Sequence, residues 1–203
     1  MSVHDEGYVK FTNAHQFAAI PVEVPEVLIN MRNMLHQRSL IGMYADGIGY
    51  GNISMRVDAH RFLISGTQTG AMFPANAEHF CLVTDARISE NKVSSIGPVA
   101  ASSESMTHAA CYAASSEIQM VIHVHHAGMW QYFLHQAPTI AEDIPYGTPA
   151  MAEALFTHVC AHGSTGCAYA AGHTDGIFFF ATTPENAMQL TEAHYAIWSA
   201  NKG

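Results

Sequence analysis

SSESMTHAACYAASSEIQMVIHVHH, residues Ser102 to His126, holds most of the chemistry of this 203-residue chain. Its end, Val121 to His125, alternates apolar and imidazole side chains. On a β-strand, residues two apart share a face, so His123 and His125 project together, about 6–7 Å apart by the strand rise. Val121, Ile122 and Val124 are β-branched and favour the strand. Two such imidazoles can converge on one metal ion. Glu104, 19 residues before His123, opens a helical segment and offers a carboxylate as third ligand or as base. The plainer alternative is chance, because the chain carries 14 histidines and a lone histidine is usually structural. Burying two adjacent unligated imidazoles would be costly, which favours the metal.

Apolar residues make up 49% of the chain and charged residues only 12%, about half the usual share. A surface so poor in charge suggests burial against copies of the same chain, hence a homo-oligomer. The net charge is −9 with eight Lys and Arg, which argues against nucleic acid and against an anionic membrane. No apolar run approaches the roughly 20 residues of a spanning helix. The start lacks the basic and apolar regions of a secretory signal. Cys81, Cys111, Cys160 and Cys167 follow no disulfide or C-x-x-C spacing and are expected to be buried, reduced residues of a cytoplasmic protein.

Residues 1–21 have no clear period and predict an N-terminal arm or loose cover. A helix is expected from Pro25 to about Tyr44, with Leu28, Met31 and Leu35 inward. Strands follow over 52–57 and 61–65, around a turn, and over 80–84, with Asn91-Lys92 at the tip of another hairpin. Helices are predicted over 104–115, capped by Ser102 or Ser103, then over 127–136 and 150–162. Residues 137–149 predict a long loop. Strands over 168–171 and 177–181 flank Gly172 to Gly176. Thr183-Pro184-Glu185 starts the last helix. With no repeat and no linker, residues 1–203 predict one α/β domain, its sheet largely antiparallel with helices on both faces.

Three loops share a chemistry suited to an anion. Gly51-Asn52 and Thr69-Gly70 allow close backbone approach, and Ser102-Ser103 add hydroxyls and amides at a helix start. Ordinary turn chemistry is the alternative for each. No Arg or Lys adjoins these loops in sequence, so a carboxylate or a hydroxylated substrate end fits nearly as well as a phosphate.

Taken in order, Gly51-Asn52-Ile53-Ser54, Gly66-Thr67-Gln68-Thr69-Gly70, Ser102-Ser103-Glu104, Ile122-His123-Val124-His125 and Gly172-His173 resemble the class II aldolase/adducin family, and especially its L-fuculose-phosphate aldolase-like members. The resemblance spans about residues 28–200. It implies an α/β/α layered fold and a cyclic homotetramer with active sites near subunit boundaries. It implies a divalent metal held by His123, His125 and a third histidine. Zinc leads, and manganese, cobalt and iron also suit imidazole. His173 is the candidate third ligand, although two more residues separate it from Gly176 than the family pattern has. His126, His135, His158 and His162 are its rivals, and Asp175 is placed to orient the His173 ring.

By the same resemblance Glu104 is the acid–base, Tyr146 assists proton transfer, and Gly51, Asn52, Thr69, Gly70, Ser102 and Ser103 hold the substrate. That substrate would be a small hydroxy-carbonyl compound such as a sugar or sugar phosphate, cleaved through a metal-stabilised enediolate. Decarboxylation, dehydration or epimerisation through the same enediolate is the runner-up. The resemblance makes epimerisation the weakest expectation of these, since family members use a residue in a C-terminal tail and no such tail is expected after the last helix here. A non-catalytic adducin-like binding protein is the alternative of a different class.

Overall fold

The computed structural model describes residues 8–202. In chain order its strands are β1 (Thr12–Phe17), β2 (Gly42–Met43), β3 (Gly49–Tyr50), β4 (Asn52–Arg56), β5 (Phe62–Ser65), β6 (Phe80–Arg87), β7 (Lys92–Gly97), β8 (Met120–His125), β9 (Thr139–Ile140), β10 (Gly166–Ala170) and β11 (Gly176–Ala181). The α-helices are α1 (Glu26–Gln37), α2 (Ser105–Ala114), α3 (Ala127–Phe133), α4 (Pro149–His162) and α5 (Pro184–Asn201).

Nine strands form one sheet in the order β1-β7-β6-β5-β4-β8-β11-β10-β9. The outer pairs, β1 with β7 and β9 with β10, are parallel, and every other pair is antiparallel. Helices cover both faces, so the layered α/β/α arrangement is the one expected. One core packs Phe62, Ile64, Val121, Phe178 and Phe180 against α2 and α4. The other packs Ile53, Leu63, Ile122, Val124 and Phe179 against α1, α3 and α5. Strand β11 is buried along its whole length, as the run Ile177 to Phe180 requires of a strand with apolar side chains on both faces.

Several boundaries differ from the sequence expectation. Helix α1 stops at Gln37 rather than near Tyr44, through a Schellman motif. Ser39 takes φ +57°, its amide donates to His36 O (2.9 Å), and the Leu40 amide donates to Leu35 O (3.0 Å). A serine stands where glycine is usual, which hides the stop. The expected N-terminal arm contains β1, whose TNAHQF run has no apolar alternation because it is an edge strand with little to bury. The loop over 137–149 contains the short β9, and α3 ends at Phe133 instead of Gln136. The cap position of α2 is Glu104 itself, not Ser102 or Ser103, and no side chain caps it. Three cysteines are buried as expected, but Cys160 is exposed. Burial pushes the thiols of Cys81 and Cys167 up to about 12 and about 11.

Beneath β4, Ser54 Oγ lies 2.7 Å from both His108 Nδ1 and the Tyr112 phenol. His108 is fully buried, and desolvation lowers its pKa to about 3. Below pH 6.5 the unfolded chain therefore takes up a proton there that the folded chain refuses until about pH 3. Stability from this group is complete above 6.5 and is lost on acidification. At pH 5 the loss is about 2 kcal/mol. Urea unfolding of the wild type and His108→Gln at pH 7 and pH 5 should show the variant losing less on acidification, by about that amount.

Candidate metal centre

The register around β8 builds the site. His123 pairs with Asn52 on β4 and with Phe178 on β11, and His125 pairs with Gly176. Paired residues in an antiparallel sheet share a face, so Asn52 stands beside His123 and the Phe178 ring stacks on the His123 imidazole at 4.2 Å. His173 reaches the same place from the turn before β11. Ring centroids lie 4.8 Å apart for His123 and His125, 5.0 Å for His123 and His173, and 4.7 Å for His125 and His173. One ligand nitrogen from each lies within 4.8 Å of the others, and all three residues are buried.

Orientation as well as proximity suits a metal. The Nε2 atoms of His123 and His125 face one another at 3.0 Å. Their outer nitrogens are engaged elsewhere: His123 Nδ1 lies 3.2 Å from Ile177 O, and His125 Nδ1 lies 3.0 Å from the Tyr44 phenol. An imidazole whose Nδ1 proton goes to an outer acceptor presents the Nε2 lone pair inward, as a metal ligand must. Tetrahedral nitrogen ligands at 2.0–2.1 Å lie about 3.3 Å apart, close to the 3.0 Å between the Nε2 atoms of His123 and His125. The three histidines fit a divalent ion.

The extra residues before Gly176 are absorbed by two consecutive turns. The His173 amide donates to Ala170 O (3.2 Å), and the Gly176 amide donates to His173 O (2.9 Å). The imidazole then folds back over Gly176, where an added Cβ would sit 2.8 Å from His173 Cγ and Nδ1. Gly172 is needed for closeness too, since a Cβ there would meet Glu142 O at 2.5 Å and Ile144 O at 2.6 Å. These carbonyls belong to the loop that carries Tyr146. Asp175, expected behind His173, gives its backbone carbonyl to the His126 amide (3.0 Å) and sets its charge on His126.

Tyr146 joins the histidines, and Glu104 lies beside the loop that carries it. The Tyr146 ring stacks on His173 at 4.4 Å. Glu104 is buried, accepts from Thr107 Oγ1 at 2.6 Å, and holds Oε1 3.9 Å from the point where a Cβ on Gly147 would lie. Lys10, just ahead of β1, extends over the other side of this loop. Its ammonium is 3.8 Å from the Tyr146 ring centroid and donates to Tyr146 O at 3.3 Å.

Of the remaining predicted residues, Gly51 and Asn52 adjoin His123, and the others lie on the 66–70 loop and just before α2. Gly51, at φ +72°, presses on Leu40 O and His123 O, which a Cβ would meet at 2.8 and 3.1 Å. Gly70 packs on Gly42 O, and Thr69 Oγ1 donates to Gly66 O at 2.7 Å. The Ser102 carbonyl accepts from the Ser105 amide and hydroxyl, Ser103 is buried beside it, and Thr67 N donates to Ala100 O. Asn52 Oδ1 is buried without a hydrogen-bond partner among the described residues. The loops are not free of cations, as the sequence suggested. The buried Arg32 guanidinium donates to Thr69 O (2.6 Å), Gly70 O (2.9 Å) and Met72 O.

The rival histidines lie outside the cluster. His126 caps α3 through Nδ1 and the Met129 amide, His158 bonds Cys167 O, His162 bonds His158 O, and His135 is exposed. Tyr44, Lys10 and Arg32 were missed by sequence reasoning. Only Arg32 left a signal, a charge on the buried stripe of Leu28, Met31 and Leu35.

Titrating metal into the stripped protein should rank the ligands. His173→Ala and His123→Ala should weaken binding to a similar, severe degree, whereas His126→Ala should stay near wild type. A loss at His126 exceeding that at His173 would reverse the assignment.

Solved structures share the fold at low identity. YgbL from Klebsiella pneumoniae, whose class is given as aldolase/epimerase/decarboxylase, is 16% identical with a TM-score of 0.61, over 87% of this chain and 89% of that one. The L-fuculose-1-phosphate aldolase of Thermus thermophilus is 18% identical with a TM-score of 0.56, over 88% and 96%. A sugar-phosphate aldolase from Thermotoga maritima is 14% identical with a TM-score of 0.52, over 88% and 97%. No curated protein matches the sequence. The sequence profile of the class II aldolase and adducin N-terminal domain matches residues 33–197, and with that match the chain belongs to the class II aldolase/adducin family.

Proposed function

We propose that this chain is a metal-dependent lyase that cleaves a small hydroxy-carbonyl compound, a sugar or sugar phosphate, by retro-aldol chemistry. The observation that carries the proposal is the buried convergence of His123, His125 and His173, with Tyr146 stacked on His173 and Glu104 beside the Tyr146 loop. A divalent ion held by the three imidazoles, zinc before manganese, cobalt or iron, would supply Lewis-acid stabilisation of an enediolate. Glu104 takes the proton of the substrate hydroxyl as the carbon–carbon bond breaks, and returns it to the carbon left behind. Thr107 fixes one oxygen of that carboxylate and leaves the other toward the Tyr146 loop. Tyr146, held by the His173 ring and by Lys10, orients the substrate hydroxyl for that transfer.

Gly51, Asn52, Thr69, Gly70, Ser102 and Ser103 form the substrate-holding side in this reading. Asn52 is the best supported of the six, since its buried Oδ1 stands next to His123. A binding protein without chemistry would have no use for a buried carboxylate and three converging imidazoles in one place, which argues against the adducin-like role. We place the protein in the cytoplasm as one domain, on its free cysteines and on a single sheet that takes strands from both halves of the chain. We also propose a homotetramer. Met43, Met72 and Phe73 are exposed on segments that meet where Gly70 packs on Gly42, an apolar surface suited to a subunit contact.

Elemental analysis followed by assay on aldol and ketose substrates tests the activity. Glu104→Gln should keep its metal and lose turnover by about two to four orders of magnitude. A metal-loaded Glu104→Gln of full activity would remove Glu104 from the mechanism. Sedimentation at micromolar concentration should give a species larger than the 22.0 kDa chain, and a clean monomer would refute the assembly.

A further inference from the structure

We propose that Tyr44 is a positioning residue of the metal centre, holding His125 in the tautomer and ring orientation that ligation requires. The inference rests on the metal reading of His123, His125 and His173. It concerns a residue that the sequence motifs leave out.

The phenol oxygen of Tyr44 lies 3.0 Å from His125 Nδ1, and its ring meets the imidazole edge-on at 6.2 Å between centroids. His125 Nε2 is turned to His123 and the centre of the cluster. A neutral imidazole has one N–H. If Nε2 is to offer its lone pair, the proton must sit on Nδ1, and Tyr44 is the acceptor placed there. For His123 a backbone carbonyl does the same work, so it is built into the sheet. For His125 the work falls to a side chain, which a substitution can remove.

Tyr44 is held for this task by a small device of its own. Strands β2 and β3 pair only with each other, apart from the main sheet. Their turn is closed by Tyr44 N donating to Ile48 O (2.8 Å) and Gly47 N donating to Tyr44 O (3.0 Å), with Gly47 at φ +87°. The Tyr50 ring packs against Tyr44 at 4.4 Å and is itself 5.9 Å from His125. Tyr50 can lie flat on the hairpin because residue 42 is glycine; a Cβ there would be 2.6 Å from its hydroxyl. The hairpin rests on Gly70, whose carbonyl is held by Arg32. A line of direct contacts thus runs from Arg32 through Gly70, Gly42 and the hairpin to Tyr44 and His125. In these terms the 66–70 loop has a mechanical role beside any role in binding substrate.

The test is a titration of Zn2+ and Co2+ into the metal-free full-length protein against a competing chelator. Wild type should bind one ion per chain. Tyr44→Phe, which keeps the ring, should bind both ions about 10–100-fold more weakly. The visible absorption bands of its Co2+ form should shift, which a loss of general stability would not produce. Tyr50→Phe should stay within about threefold of wild type, because its hydroxyl lies toward Ser39 O and not His125. Thermal unfolding of the metal-free proteins monitors folding. Should Tyr44→Phe fail to fold, Tyr44→Leu also removes the hydroxyl and should show the same loss. A variant lacking the Tyr44 hydroxyl with wild-type affinity and an unchanged Co2+ spectrum would overturn the proposal and leave the metal site standing. Failure of the wild type to bind either ion would overturn both.

Discussion

The register of β8 between β4 and β11 is the constraint on which the rest of the structure depends. It sets His123 and His125 on one face, Asn52 beside the first, Phe178 stacked on it, and Gly176 opposite the second. A slip of one residue would exchange every side chain of the strand between faces. The two imidazoles would then enter the core packed on α1, α3 and α5, and Ile122 and Val124 would face the site. The convergence of the histidines and the core packing are therefore specified together. The apolar residues that hold the register are the ones interleaved with the histidines.

Around that strand the same kinds of residue serve packing and chemistry at once. Two glycines expected to admit an anion also admit backbone, Gly51 against Leu40 and His123 and Gly70 against Gly42, and Gly172 does the same against the carbonyls of Glu142 and Ile144. Arg32 commits its guanidinium to three carbonyls of the 69–72 segment, and burial lowers its pKa to about 10. A buried cation with only carbonyl acceptors is costly. Its position under the loop that supports the Tyr44 hairpin gives that cost a structural purpose.

Much of this was legible in the sequence, for identifiable reasons. The alternation through His125 predicted a strand with two imidazoles on one face, and Thr183-Pro184 marked the start of α5, with Thr183 Oγ1 accepting from the Asn186 amide. The chain also falls in the family that its ordered motifs suggested. What was not legible depends on partners distant in sequence or on backbone shape. Strand β1 carries no alternation because it lies at an edge, α1 ends on a serine in the left-handed region, and Arg32 finds its acceptors 37 to 40 residues away. Lys10 and Tyr44 reach the site only because β1 joins the sheet and because a hairpin folds over His125.

His173 shows why spacing alone was a poor guide to which histidine joins His123 and His125. Two residues more than the family pattern would displace a side chain by about 6–7 Å if the chain stayed extended. The chain does not stay extended. Two successive turns, with Asp175 at φ +67°, take up the added length and return β11 to its pairing with His125 at Gly176. The imidazole then needs room above the backbone, and only a residue without Cβ leaves it at position 176. The place of the ring is set by an atom that is absent as much as by the ring that is present.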